Sequence, residues 1–380
     1  MIASKIDYEQ GPIRPPSEAG SLLVRLTRNC PWNRCLFCPV YKNEKFSRRS
    51  LEEIKSDIEA MFKAAEKVRE ISRQHESGGE IDRRTAALIQ SEHPDLFSMA
   101  FWLYHGGETV FLQDADSLVL PVDQVVEILQ LLKDKFPGIK RITTYARSRT
   151  IARRSEEELL RLKKAGLNRI HIGLESGNDR VLDYMQKGVT ASQHVEAGLK
   201  VKNAGISLSE YVILGLGGTR WWREHALDTA KSLNKINPDF LRVRTLAIHP
   251  ASPLSDKVRG GDFVPLKDDD IVREEALLID NLNGIESRFY SDHILNLLED
   301  VNGKLPGDKQ AMKATIEKYL TMPEKKRELF RLGRRSGYFR IMDDMDNPAL
   351  YAAVEKSYRQ LQKQGLSVDQ YIERMMLRFL

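Results

Sequence analysis

Cysteine is nearly absent from this chain: three residues in 380, all within Cys30-Pro-Trp-Asn-Arg-Cys35-Leu-Phe-Cys38. An odd set so tightly clustered excludes a disulfide framework, whose cysteines are spread along a chain to staple distant loops. Long apolar runs are missing too. None reaches the ~18–20 residues that cross a bilayer, and the opening Met-Ile-Ala-Ser-Lys-Ile-Asp-Tyr-Glu-Gln lacks the apolar core of a secretory signal. Thiols outside any disulfide framework, with no export signal, point to a reducing, cytoplasmic setting. An excess of one sign of charge is nearly absent: 59 basic residues stand against 54 acidic ones, a formal balance of +5. That gives a weak hint of an anionic ligand and lacks the concentrated basic stripe of a nucleic-acid binder. Hydrophobic residues at 41% and charged residues at 30% are ordinary for a soluble enzyme, and the length suits one large domain or two.

What is present is an alternation of strand and helix signals. Ser21–Thr27 reads as a strand running into the cysteine loop, and a helix pattern follows from about Ser50 to Arg69. Residues 70–97 are polar around Ser77-Gly78-Gly79 and read as an inserted arm. Met99–Tyr104 is expected to be the second strand, ending at His105-Gly106-Gly107-Glu108. Pro121 suits a helix start, with Val125, Ile128, Leu129 and Leu132 at amphipathic spacing. Ile139–Ala146 and Asn168–Leu174 are the third and fourth strands. The helix Ser155–Ala165 lies between them, opened by the capping-box pair Ser155 and Glu158 and closed by Gly166. A fifth strand, Ser207–Leu214, ends in Gly215-Leu-Gly217-Gly218, and a sixth, Phe240–Ile248, ends in His249-Pro250.

Six strands with intervening helices imply a parallel α/β sheet, open or curled into a barrel. Such folds place their sites at the carboxyl ends of the strands. The cysteine loop, Gly-Gly-Glu, Glu175 and the glycines after strand five all fall at such ends in this reading. Three thiolates in one loop can face a single metal centre, but a structural zinc or a complete iron–sulfur site wants four protein ligands. The loop is one ligand short, which leaves an open position; a zinc completed by a distant histidine is the alternative. The glycines at Gly215–Gly218 resemble a phosphate loop but lack its Lys-Ser/Thr ending and the G-x-G-x-x-G spacing.

From about residue 20 to 255 the chain resembles the radical S-adenosylmethionine (radical SAM) superfamily. The resemblance rests on the cysteine triad, Gly106-Gly107-Glu108, the stretch Gly173-Leu-Glu175-Ser-Gly177 through Lys187-Gly188, and the glycine-rich turn after strand five. Gly173–Gly188 looks most like the branch of oxygen-independent coproporphyrinogen oxidases and methylthiotransferases. In one respect the chain departs: the family's usual C-x3-C-x2-C is here C-x4-C-x2-C, a residue that a loop can absorb at small cost.

The resemblance implies a partial (β/α)6 TIM-type barrel over 21–260, after an N-terminal segment 1–20, with the polar arm at about 70–97 inserted and a helical C-terminal extension over 261–380. It implies an enzyme with a [4Fe–4S] cluster on Cys30, Cys35 and Cys38, and S-adenosylmethionine on the fourth iron, cleaved reductively to a 5′-deoxyadenosyl radical that takes hydrogen from a small-molecule substrate. Phe37 would lie against adenine, and Gly106, Gly107 and Glu108 would meet the methionyl end. Glu175 would accept from the ribose hydroxyls, Lys187 or Arg147 would meet the carboxylate, and the turn at Gly215 would admit the adenine edge. No catalytic side chain is assigned. A flavodoxin- or ferredoxin-type protein would supply the electron, and neither a membrane nor a nucleic acid is expected as partner. An iron–sulfur protein without cleavage is one alternative. A transfer-RNA-modifying radical enzyme is another, suggested by the basic Lys325-Lys326-Arg327 and Arg331–Arg335, although no RNA-binding module or second cysteine set accompanies them. His293 and Asn296 are spaced for one helix face and are the expected substrate-side pair.

Overall fold

The computed structural model describes residues 7–75 and 78–376. The readings of the first six residues and of Ser77 in the polar arm lie outside the described residues. The chain forms two compact units, one of Met1–Pro31, Asn43–Ile172 and Lys200–Ser207, the other of Trp32–Lys42, Gly173–Leu199 and Leu208–Leu380. The architecture is α/β, with eight strands in a parallel-dominated sheet and two in a small ribbon among the described residues.

The first unit holds β1 (Leu22–Arg25), the antiparallel ribbon of β2 (Thr27–Arg28) and β3 (Ser47–Arg48), β4 (Thr109–Gln113), β5 (Arg141–Ala146) and β6 (Leu167–Glu175), the last of which runs on into the second unit. Its helices are α1 (Leu51–Gln74), α2 (Arg83–Glu92), α3 (Phe97–Tyr104), α4 (Val122–Lys135), α5 (Ser148–Ala152) and α6 (Glu156–Ala165). β1, β4, β5 and β6 follow one another in parallel, with Leu22 opposite Val110, Thr109 opposite Arg141, and Ile142 opposite Leu167. Val110, Phe111 and Leu112 are fully buried in succession, as expected of a parallel strand covered on both faces. α1 starts where Ser50 and Glu53 cap each other, and its buried stripe Ile54, Ile58, Met61, Ala65 and Val68 packs on α4.

One strand was placed wrongly by pattern. Met99–Tyr104 lies in the helix α3, and the strand is β4, which begins after Gly107. A short apolar run carries no period that separates strand from helix. Here the flanks decide. The turn Pro94–Leu96 leads into the helix, and the His105 amide donates back to the carbonyls of Phe101 and Trp102. Trp102 is buried, and its Nε1 donates to the Thr109 carbonyl at 2.8 Å. The stretch after α1, expected as an arm, is occupied by α2 and the turn Pro94–Leu96.

The second unit contributes α7 (Asp179–Tyr184), α8 (Ala191–Asn203), β7 (Ser207–Leu214), α9 (Gly218–Ile236), β8 (Phe240–Thr245), α10 (Leu254–Arg259), α11 (Asp268–Asn281), β9 (Arg288–Tyr290) and β10 (Asn302–Lys304). It ends in α12 (Lys309–Leu320), α13 (Glu324–Arg335), α14 (Pro348–Lys363) and α15 (Val368–Met376). β7 and β8 pair in parallel from Ser209–Phe240 to Leu214–Thr245, β9 adds in parallel, and β10 closes antiparallel to it. His293 and Asn296 do not share a helix: Ser291–Asp300 is turns and bends. A buried Asn296 is held there by its own bonds, donating to Val243 O at 3.0 Å and Ser291 Oγ at 3.1 Å and accepting from the Thr245 hydroxyl at 3.1 Å. Four arginines of α13 are committed to acids, while Lys325 and Lys326 are exposed. Arg327 meets Asp269 at 3.0 Å, Arg331 meets Asp369 at 2.6 Å, Arg334 meets Glu299 at 3.0 Å and Arg335 meets Asp268 at 2.5 Å.

Candidate cofactor site

β6 ends on Glu175 in a left-handed backbone conformation, φ 63°, a region uncommon outside glycine and worth a cause. The cause is visible at its carbonyl. Glu175 O faces His225 Nε2 of α9 at 3.2 Å, while His225 Nδ1 meets the Glu274 carboxylate of α11 at 2.9 Å. The other oxygen of Glu274 accepts the Gly215 amide. One buried acid–imidazole pair therefore ties together the ends of β6 and β7. Burial alone would pull the His225 pKa down, but the charge and hydrogen bond of Glu274, with the Glu175 carbonyl, raise it overall. The protonated ring has two N–H donors for these two acceptors.

The Glu175 side chain folds back over Gly173, where a Cβ would stand 2.1 Å from its Oε1. That same oxygen accepts from Lys187 Nζ at 3.0 Å. Glu210, in the middle of β7, is fully buried, and neither of its oxygens has a hydrogen-bond partner. Burial, then the charge on Glu175, push its pKa well up, with Lys187 opposing. Gly215 follows β7 at φ 84°, and a Cβ there would meet Ile271 Cδ1 at 2.6 Å.

The second half of the cysteine loop docks onto the same segment. Trp32 Nε1 donates to Gln186 O at 2.7 Å, and the Leu36 amide donates to Met185 O at 3.0 Å. The Leu36 carbonyl in turn accepts from the Leu254 amide at 3.0 Å. Lys187 Nζ stands 5.9 Å from the Phe37 ring centroid. Thus Phe37, Glu175, Lys187 and Gly215 belong to one neighbourhood of hydrogen-bonded strand ends and loops.

Gly106, Gly107 and Glu108 do not join any strand end of that kind. They precede β4, at its amino end, because the strand expected before them is a helix. Glu108 is instead an exposed partner of Lys140 at 2.6 Å. The carboxyl end of β4 is Gln113-Asp114-Ala115-Asp116, which the sequence reading passed over. Asp114 is buried and accepts from Arg25 Nε at 2.9 Å and from the Asn29 amide, next to Cys30, at 3.1 Å. Asp116 accepts from the Thr150 hydroxyl at 2.5 Å; burial pushes its pKa up to about 6, against that bond and the charge of Arg147. Arg147 follows β5 and precedes α5. The available signal was the β-branched and aromatic run Thr109–Gln113 bounded by glycine and aspartate. His225 and Glu274 carried none.

Residues 94–230 match the family model described as the Radical SAM superfamily. This segment of the chain is similar to that superfamily. The cofactors to weigh against the site are therefore the [4Fe–4S] cluster and S-adenosylmethionine that the resemblance implies; the matched span begins after the cysteine loop. No curated protein matches the chain. Among solved structures, Elp3 of the archaeon Methanocaldococcus infernus is similar at 15% identity and TM-score 0.41, over 61% of this chain and 60% of that one. Methylornithine synthase (PylB) is similar at 15% identity and TM-score 0.42, over 87% and 85%. The radical S-adenosylmethionine methyltransferase TsrM of Kitasatospora setae, with cobalamin and a [4Fe–4S] cluster bound, is similar at 12% identity and TM-score 0.43, over 89% and 61%. The chain thus spans about 60% of the Elp3 structure's length.

The residues present suit both cofactors. Three half-buried thiols in one nine-residue loop are the soft donor set of an iron–sulfur cluster. Among the described residues no group of His, Cys, Asp or Glu is arranged to hold one metal ion. In a four-iron cluster each thiolate sits on a different iron, so its ligands stand wider apart than those of one ion. Glu175 and Lys187 offer one carboxylate and one ammonium, complementary to the zwitterionic, ribose-bearing S-adenosylmethionine.

Proposed function

We propose that this chain is a radical SAM enzyme that cleaves S-adenosylmethionine to generate a radical and takes hydrogen from a small organic substrate. Cys30, Cys35 and Cys38 would hold the cluster, within a core over 21–260 that the helices of 261–380 complete. Once bound and reduced, that cluster supplies the electron that splits the sulfonium into methionine and a 5′-deoxyadenosyl radical. The protein's own part is positioning and exclusion of water. In this reading Lys187 leaves Glu175 to meet the S-adenosylmethionine carboxylate, and Glu175 turns to the ribose hydroxyls. Phe37 walls the adenine, and the Gly215 turn admits its edge. Arg147 is the second candidate for the carboxylate. A flavodoxin- or ferredoxin-type donor and a reducing, cytoplasmic setting complete the proposal.

The observation that carries it is the docking of Trp32, Leu36 and Phe37 onto Met185–Lys187, which joins the cysteine loop to the Glu175–Lys187 pair. The inward pairing of Arg327, Arg331, Arg334 and Arg335 counts against a transfer-RNA partner, because those cations are already matched by acids. The test is anaerobic. The reconstituted protein with dithionite and S-adenosylmethionine is expected to release 5′-deoxyadenosine, and each Cys→Ala variant to lose cluster absorbance and product together. A well-formed cluster that yields no 5′-deoxyadenosine would leave an iron–sulfur binding role in its place.

A further inference from the structure

One cluster in the second unit has no part in the reading above. Arg242 and Arg244 lie two apart on β8, in register with Tyr211 and Ile213 of β7, so all four residues project to one face of the sheet. Each guanidinium is stacked. The Arg242 carbon lies 4.5 Å from the Tyr290 centroid and that of Arg244 lies 5.1 Å from Tyr211. Such stacking holds the guanidinium planes and leaves their edges to recognise a planar or tetrahedral anion.

The two cations share one carboxylate. Arg242 Nη1 is 3.0 Å from one oxygen of Asp292, and Arg244 Nη1 is 3.4 Å from the other while also donating to Val243 O. This leaves Arg242 Nε and Arg244 Nη2 buried with no hydrogen-bond partner, although the Arg242 side chain is only 8% exposed. A buried donor left without an acceptor is costly, the more so when it is charged. Neighbouring charge does not correct the excess. Burial, then Arg244, push the pKa of adjacent His293 down to about 4, and Arg334 is already engaged with Glu299. Asp292 is the exposed member at 38% and borders a cleft of about 420 Å³ whose walls also carry Arg334, Arg340, Glu299 and Asp344, with Arg242 and Arg244 set behind it rather than lining it.

We infer that Arg242 and Arg244 form an oxyanion site that takes a carboxylate or phosphate group. Tyr290 and Tyr211 fix the guanidinium planes, and Asp292 is the counter-ion that the ligand supplements or displaces. As a substrate subsite this rests on the radical-enzyme reading; as an anion site it does not. The test uses the full 380-residue chain at low salt, titrated separately with malonate and inorganic phosphate by calorimetry. At least one anion is expected to bind, and Arg244→Gln to weaken it by about tenfold, the scale of a charge-assisted bond. Arg242→Lys is the second variant, keeping charge but losing the fork, and is expected to weaken it likewise; S-adenosylmethionine affinity should stay unchanged in both. Binding of malonate alone assigns a carboxylate, and of phosphate alone a phosphate. Absence of binding by either anion, or equal binding in the wild type and both variants, overturns the site. Anion binding without any 5′-deoxyadenosine formation would retain the site and remove only its role as a substrate subsite.

Discussion

At the residue scale, the site turns on what stands over Gly173. Because a Cβ there would lie 2.1 Å from Glu175 Oε1 and 3.1 Å from Lys187 Nζ, Gly173→Ala should push the pair aside while leaving the backbone in place. Its expected signature is selective. S-adenosylmethionine affinity, measured by equilibrium dialysis, falls by roughly tenfold or more, as for loss of a hydrogen bond to a charged group, while Tm changes little. A large Tm loss with unchanged affinity would show that the glycine serves packing alone. Of this neighbourhood, Phe37, Glu175, Lys187 and Gly215 were singled out in the sequence through the family resemblance; the structure sets them near one another, and their cofactor roles are the proposal. His225, Glu274 and Glu210 were not singled out. Each is an ordinary polar letter inside an apolar pattern, and only the fold brings α9, α11 and β7 to the ends of β6 and its neighbour.

At the scale of elements, strands whose flanks and period agree were read closely. Ser207–Leu214 coincides with β7, and the capping box at Ser155 opens α6. Met99–Tyr104 failed because apolar content without alternation says only that a segment is buried, and the error carried Gly106–Glu108 to the wrong end of a strand. The link between α9 and α11 makes its own prediction. His225 has a raised folded-state pKa, so its stabilisation is fully present below its unfolded value, ~6.5, and is lost as pH rises through the higher folded value. Wild-type Tm should therefore fall more steeply than that of His225→Gln as pH rises above the unfolded value of ~6.5. Parallel curves would mean that the ring holds Glu175 without its proton.

For the whole molecule, buried acids set the alkaline limit. Burial first, then Asp300 and Glu274, push Glu275 up to about 8, against a hydrogen bond with Ser291. Its stabilising contribution is complete below the unfolded value, ~4.5, and is lost as pH climbs through 8. Glu275→Gln should flatten the stability curve and gain on the order of a few kcal/mol at alkaline pH, read by urea unfolding; an unchanged slope would place the titration elsewhere. The tether of Trp32 to Gln186 and of Leu36 to Met185 has a last consequence. Whatever orders Lys187 also restrains the strip between Cys35 and Cys38, so two ligands that never touch the same side chain still share one free energy. By reciprocity, S-adenosylmethionine should raise the protein's equilibrium affinity for iron, read by competition with a chelator, by the same factor by which iron raises its affinity for S-adenosylmethionine.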